Sequence, residues 1–301
     1  MQKSNFKFWF LFILSIFLLG WGFNLIQTQR AQKSFSELQD FLKSRNIKKE
    51  PEDIFKNSIS AEFVLVGNMS TGEVLYSRNP DMHTLTASIG KLIAAIAVFD
   101  HMDMDSVVTI TKSMVNPDWG APHFVVGEKV KVKDLLNMGL VMSANDAIMA
   151  LAKSQGEDKF TGWMDLKIKE IGLTNTGFFD ALFFDSNGNF TTVLDLFKLS
   201  RYIYTNYPKI GEITRMKAFN FKSESSYNHL VVPTNQLLGK IPELWGAKTG
   251  VTPEAKECLL IMYEFEQNNK KVPYVTIVLK SDNRFKDTEI LYQWLKSRIK
   301  K

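Results

Sequence analysis

The longest apolar run in this chain is residues 8–26, FWFLFILSIFLLGWGFNLI, with Lys3 and Lys7 before it and no charge until Arg30. About 19 residues at ~1.5 Å each approach the ~30 Å of a hydrocarbon core, so the run predicts a transmembrane helix. A cleaved secretory signal ends in small residues, whereas Trp21, Phe23, Leu25 and Ile26 stand at this exit. An uncleaved single-pass anchor is expected. Its positive flank puts the N-terminus in the cytoplasm and everything after residue 30 on the extracytoplasmic side of the cell membrane, although Arg30 and Lys33 weaken the asymmetry. Residues 31–58 then read as a stalk, with Phe35, Leu38, Phe41 and Leu42 at helical spacing and a break at Pro51. The remainder, 59–301, is the expected globular domain.

Within that domain the pattern changes twice. Residues 62–68 and 73–77 are β-rich runs around Met69-Ser70-Thr71-Gly72, which predicts a hairpin. Residues 92–99 are apolar on every side, as in a buried helix. A short strand at 107–111 leads into an irregular stretch interrupted by Pro117, Gly120, Pro122 and Gly127. Helices are expected at 134–141 and 145–153, separated by Met142-Ser143-Ala144. Phe160, Trp163, Met164, Ile168 and Ile171 form another helical stripe, and Thr192 with Asp195 marks the capped start of a further helix. Past Gly239 the period returns to two at 245–249, 257–265 and 272–280, before a terminal helix at 284–299. Strands at both ends with helices between predict an α+β fold, in which the early hairpin joins the late strands in one antiparallel sheet beside a helical subdomain.

Composition narrows the function. At 301 residues and 45% hydrophobic content the chain can bury a large core. Residues 1–56 hold nine Lys/Arg against five Asp/Glu, leaving 28 against 27 elsewhere, so the folded part lacks the basic excess of a nucleic-acid binder. Cys258 is the single cysteine, which excludes an intrachain disulfide. His83, His101, His123 and His229 have no ligand spacing and read as surface or loop histidines, so neither a metal nor another cofactor is expected. The aromatic residues of 178–184 read as core or lipid-facing.

The chemistry concentrates at Ser88, where the buried helix begins, and Lys91, three residues on and on the same face. A hydroxyl at a helix N-terminus lies in the positive end of the peptide dipoles, and a lysine kept neutral can take its proton. Alone, this spacing is ordinarily a helix start; Ser4-Asn5-Phe6-Lys7 has it too. Two further motifs follow in order, Ser143-Ala144-Asn145 in the break between helices and Lys248-Thr249-Gly250 at a strand end, where glycine admits close approach to the backbone. Singly these are a helix cap and a solvated strand end. Ser44-Arg45-Asn46 and Ser281-Asp282-Asn283 match the middle pattern but fall outside the order.

The ordered set resembles the serine D-alanyl-D-alanine carboxypeptidases, low-molecular-weight penicillin-binding proteins that share a fold with β-lactamases. The resemblance runs from about Ala61 onward and includes Thr71-Gly72-Glu73-Val74-Leu75-Tyr76, Gly127-Glu128, Lys169-Glu170-Ile171-Gly172-Leu173-Thr174-Asn175-Thr176 and Gly246-Ala247-Lys248-Thr249-Gly250-Val251-Thr252. Lys256 departs from the glycine usual before the Cys258 position, and the C-terminal β-domain of many members has no counterpart. The first departure threatens the local turn; the second leaves the N-terminal segment as the visible anchor to the bilayer.

The resemblance implies roles. Ser88 attacks the penultimate D-alanine carbonyl of a peptidoglycan stem peptide and releases the terminal D-alanine from an acyl-enzyme. Lys91 is the base; a free lysine titrates near ~10.4, so a value near ~7–8 needs roughly 4 kcal/mol from burial and a neighbouring cation, Lys248. Ser143 relays the proton to the leaving amine, and Asn145 holds the peptide amide and orients Lys91. Lys248 and Thr249 hold the terminal carboxylate, and the Ser88 and Val251 N–H groups form the oxyanion hole beside Gly250. β-Lactams are the implied inhibitors. A β-lactamase and a non-catalytic wall-binding homologue are the rival readings. The first needs a carboxylate placed to activate water, and Glu170, the nearest candidate, is expected to face solvent; the second predicts a broken motif, and all three are intact.

Overall fold

The computed structural model describes residues 55, 57–116, 118, 122–183, 185 and 188–299. The expected anchor at 8–26 and most of the stalk lie outside these residues. No helix among the described residues is long and apolar enough to cross a membrane.

The described residues form nine strands and seven α-helices. β1 (Phe63–Asn68) and β2 (Val74–Arg78) form the early hairpin, and β7 (Leu244–Thr252), β8 (Lys256–Gln267) and β9 (Lys270–Ser281) are the late strands. All five make one sheet in the order β2-β1-β9-β8-β7, with every neighbouring pair antiparallel. The early hairpin does join the late strands. Its turn is set by Asn68, whose Oδ1 accepts from the N–H groups of Ser70 at 2.9 Å and Thr71 at 3.1 Å.

Both faces of the sheet are buried, which is why the central strands read as continuous apolar runs. Along β1, Phe63 and Leu65 enter one core while Val64 and Val66 enter the other. β8 divides likewise, Cys258, Leu260 and Met262 against Leu259, Ile261 and Tyr263. The second core is closed by the terminal helix through Leu291, Tyr292 and Leu295. Here Ser281-Asp282-Asn283 finds its use: the Ser281 hydroxyl donates to buried Asp287 at 2.7 Å, which also accepts from the N–H groups of Ser60 and Ala61. The triplet starts a helix and carries no chemistry.

The first core holds the helices. α1 (Lys91–His101) is buried from Lys91 to Val98. It packs against α2 (Val132–Val141) and α4 (Glu157–Ile171), with α3 (Asn145–Gln155) between the latter two. α4 turns its Phe160, Met164 and Ile168 inward and ends where Gly172, at φ 75°, lets the Leu173 N–H return to the Ile168 carbonyl at 3.0 Å. α5 (Val193–Asn206) is capped by the Thr192 hydroxyl, which accepts from the Asp195 N–H at 3.1 Å. α6 (Pro208–Thr214) follows, and α7 (Arg284–Ile299) is the terminal helix.

The short strand expected at 107–111 is present as β3 (Val107–Thr109), and the mostly irregular stretch after it also holds its partner β4 (Lys129–Lys131) and a 3-10 turn over Lys112–Met114. A second hairpin, β5 (Phe219–Lys222) with β6 (Asn228–Val231), has no sequence forecast. His229 is neither a surface nor a loop residue: strand alternation turns it inward, where Nε2 lies 2.6 Å from buried Glu128. Of the 178–184 aromatics, Phe178 and Phe183 are core and Phe179 is exposed.

Candidate active site

Ser88 stands in a 3-10 turn, Ala87–Gly90, that leads directly into α1. Residues i and i+3 eclipse in a 3-10 turn, which stacks Ser88 on Lys91 more closely than an α-turn does. The Lys91 ammonium donates to the Ser88 hydroxyl at 3.0 Å. Gly90 lets Phe183 pack against the turn: a Cβ there would lie 2.2 Å from the Phe183 ring. Ala87, at φ 46°, holds a left-handed conformation just before Ser88.

Lys91 is completely buried. Its ammonium donates further to the Ser143 carbonyl at 2.7 Å and to Asn145 Oδ1 at 2.5 Å, with the Ser143 hydroxyl at 3.4 Å. Burial pushes it down to about 7, against a smaller opposing pull from the carboxylate of Asp146. Ser143 is delivered by the break between α2 and α3, where it adopts φ 65°, and Asn145 opens α3.

The third wall is β7, the edge strand. Lys248 is 2% exposed and donates to the Ser143 hydroxyl at 2.9 Å and to the Thr249 carbonyl at 2.8 Å. Burial first, then the charges of Lys91 and Arg284, hold it well below the ordinary lysine range. β7 lies so close to the Ser88 turn that a Cβ on Gly250 would sit 2.7 Å from the Thr86 carbonyl and 3.0 Å from the Ser88 nitrogen. Only glycine fits. Val251, next on the strand, is 60% exposed.

The predicted residues therefore converge: Ser88, Lys91, Ser143, Asn145 and Lys248 form one hydrogen-bonded cluster, with Gly250 against the backbone of Ser88. Lys248 is buried, not a solvated strand end. Glu170 is exposed and engaged elsewhere, accepting from Lys167 at 2.7 Å and the Tyr202 hydroxyl at 2.6 Å. Lys256 keeps the turn that its departure from glycine put in question, by itself adopting φ 50°.

Three residues escape the sequence reading. Arg284, at the start of α7, donates to the Gly250 carbonyl at 2.6 Å and adds positive charge behind β7. His123 approaches Asp146 with its backbone N–H at 2.6 Å and its ring Nδ1 at 3.0 Å. Thr234 meets Thr249, hydroxyl to hydroxyl, at 2.5 Å. The spacing of motifs along the chain is silent about all three, because each is brought in by tertiary packing.

The arrangement can activate a serine hydroxyl, relay its proton through a second serine and hold an anion against a buried lysine. A family described as D-alanyl-D-alanine carboxypeptidase matches residues 47–283. D-alanyl-D-alanine carboxypeptidase DacF of Bacillus subtilis is 28% identical over 196 residues, covering 63% of this chain and 50% of that protein, so the matched region spans half that relative's length. A D-alanyl-D-alanine endopeptidase of Pseudomonas aeruginosa is 29% identical over 254 residues, covering 80% of this chain and 79% of its own. Among solved structures, penicillin-binding protein D2 of Listeria monocytogenes in its ampicillin-bound form superposes with a TM-score of 0.67 at 30% identity, covering 78% of this chain and 96% of that one.

Proposed function

The chain belongs to the D-alanyl-D-alanine carboxypeptidase family, and from that premise we propose that it removes the terminal D-alanine of peptidoglycan stem peptides ending in D-Ala-D-Ala, through an acyl-enzyme on Ser88. The observation that carries this reading is a fully buried lysine, held down to about 7, that donates to the Ser88 hydroxyl at 3.0 Å. When neutral, Lys91 accepts the Ser88 proton as Ser88 Oγ bonds to the carbonyl carbon of the penultimate D-alanine. The oxyanion is received by the N–H groups of Ser88 and Val251. The C–N bond then breaks, and the Ser143 hydroxyl passes a proton to the leaving amine and recovers one from the lysines on either side of it. Water hydrolyses the ester.

Lys248 and Thr249 hold the substrate carboxylate, and Asn145 holds the peptide amide while its Oδ1 fixes Lys91. β-Lactams acylate the same serine because they imitate the D-Ala-D-Ala backbone. Glu170, exposed and salt-bridged, is not set up to activate water against the penicilloyl ester, which supports a carboxypeptidase over a β-lactamase. Incubation of the protein with a peptide ending in D-Ala-D-Ala should release free D-alanine, and Ser88→Ala should abolish the release. No D-alanine from the wild-type protein would refute the reading.

The organisation proposed around this activity is a cytoplasmic tip and anchor at 1–30, a stalk at 31–58 and a catalytic domain at 59–301 facing away from the cytoplasm. The uncharged run at 8–26 and its bulky exit support it. Intact mass of membrane-extracted protein tests it, and a mature N-terminus near Arg30 would count against an anchor.

A further inference from the structure

We propose that Thr234 is a positioning residue for the substrate's terminal carboxylate, acting by directing the hydroxyl proton of Thr249. The inference rests on the carboxypeptidase reading, in which Thr249 holds that carboxylate.

Thr249 is 4% exposed, and its hydroxyl lies 2.5 Å from that of Thr234. A hydroxyl carries one proton and two acceptor lone pairs, whereas a carboxylate only accepts. Thr249 can therefore bind an anion only if its proton points away from Thr234. The contact between the two oxygens then persists only if Thr234 supplies the proton. With Thr234 donating, the remaining Thr249 hydrogen turns outward, and its oxygen, already accepting, becomes a stronger donor. Valine in place of Thr234 keeps the shape and loses this control.

The backbone holds Thr234 in place for the task. Pro233 restricts the chain just before it. The Thr234 N–H donates at 3.2 Å to the carbonyl of Val141, the last residue of α2 and two residues before Ser143. Asn235, buried, closes a turn beyond it by accepting from the Leu237 N–H at 3.0 Å. The segment thus ties the helix end that delivers Ser143 to the strand that delivers Thr249. The groups that relay the proton and those that grip the anion share one strut.

The test compares acylation by benzylpenicillin with acylation by its methyl ester, which keeps the reactive ring and lacks the anion. Wild-type protein should strongly prefer the free acid. Thr234→Val should slow acylation by the acid about 10-fold and by the ester less than about 2-fold, since a hydrogen bond to a charged group is lost in one case only. Thr234→Ser should restore the preference, and Thr234→Val should add nothing in a Thr249→Val background. Thr234→Ala removes the same hydroxyl without new atoms and serves if the valine variant fails to fold; melting temperatures monitor this. Equal losses on acid and ester, or an undiminished preference without the Thr234 hydroxyl, would overturn the proposal. Absence of any preference in the wild-type protein would overturn the carboxylate-holding reading itself, and the proposal with it.

Discussion

The ammonium groups of Lys91 and Lys248 approach one oxygen, the hydroxyl of Ser143, at 3.4 and 2.9 Å. Both lysines are buried, and the charge of Lys91 adds to the burial that holds Lys248 down. Two full charges so placed repel strongly, so near neutral pH the pair holds fewer than two protons and titrates as a unit. In the proposed reaction Ser143 lies between a site that takes a proton and one that gives it. That is the geometry a relay to a leaving amine requires.

Acylation of Ser88 by penicillin should rise with pH through about 7 and then level off, because Lys91 is a base only in its neutral form and that form grows as pH climbs past its value of about 7. Lys91→Ala should be slower by at least ~10²-fold and lose this rise. Acylation rates by intact mass from pH 5 to 9 decide it. A profile unchanged in Lys91→Ala would mean that another group is the base.

The midpoint of that profile should move in opposite directions in two variants. Lys248→Met removes a neighbouring positive charge, which makes Lys91 easier to protonate and shifts the midpoint up by about one pH unit. Asp146→Asn removes the carboxylate that favours charged Lys91, so the midpoint moves down. Shifts of the same sign would contradict the electrostatic account.

Gly250→Ala should cut penicillin labelling by about 10²-fold while leaving the melting temperature within a few degrees. The added methyl meets the Thr86 carbonyl and the Ser88 nitrogen, and relief requires β7 to retreat from the nucleophile. Displacements near 1 Å at a reacting centre cost about this much. Labelling at the wild-type rate would show that β7 has room to move without disturbing Ser88.

The penicilloyl-enzyme should be long-lived, and Glu170→Gln should leave its lifetime unchanged. Both carboxylate oxygens of Glu170 are occupied, by Lys167 and Tyr202. Loss of the adduct within seconds, abolished in Glu170→Gln, would reassign the protein as a β-lactamase.

The sequence was most legible where a physical pattern is long or sharply periodic. The all-apolar helix after Ser88 and the strands around Lys248 and Cys258 are such patterns, and α7 was bounded at Arg284–Ile299 as found. β4 escaped because three residues, Lys129 to Lys131, carry too little alternation to stand out among charges. The β5–β6 hairpin escaped because its turn has no glycine and uses Ser226 at φ 69° instead. In the site, motif order located the five clustered side chains but not Arg284, whose place in a helix start concealed its reach to Gly250. Thr234 was hidden for a related reason, since a lone hydroxyl in the loop between β6 and β7 has no spacing to betray its partner.

The order of the sheet also governs when the protein becomes active during its synthesis. β1 is made early, yet its sheet neighbour opposite β2 is β9, about 200 residues later. At roughly 5–20 residues per second the ribosome needs on the order of 10–40 s to cover that gap. For most of that interval the nascent chain carries Ser88 and Lys91 without β7, the strand that places Lys248 and Gly250 beside them. Pairing so distant in sequence also closes slowly. In the proposed reaction Ser88 therefore lacks Lys248 and Gly250 until β7 has been made and folded back, so a truncated chain ending before β7 should have no competent serine to misdirect.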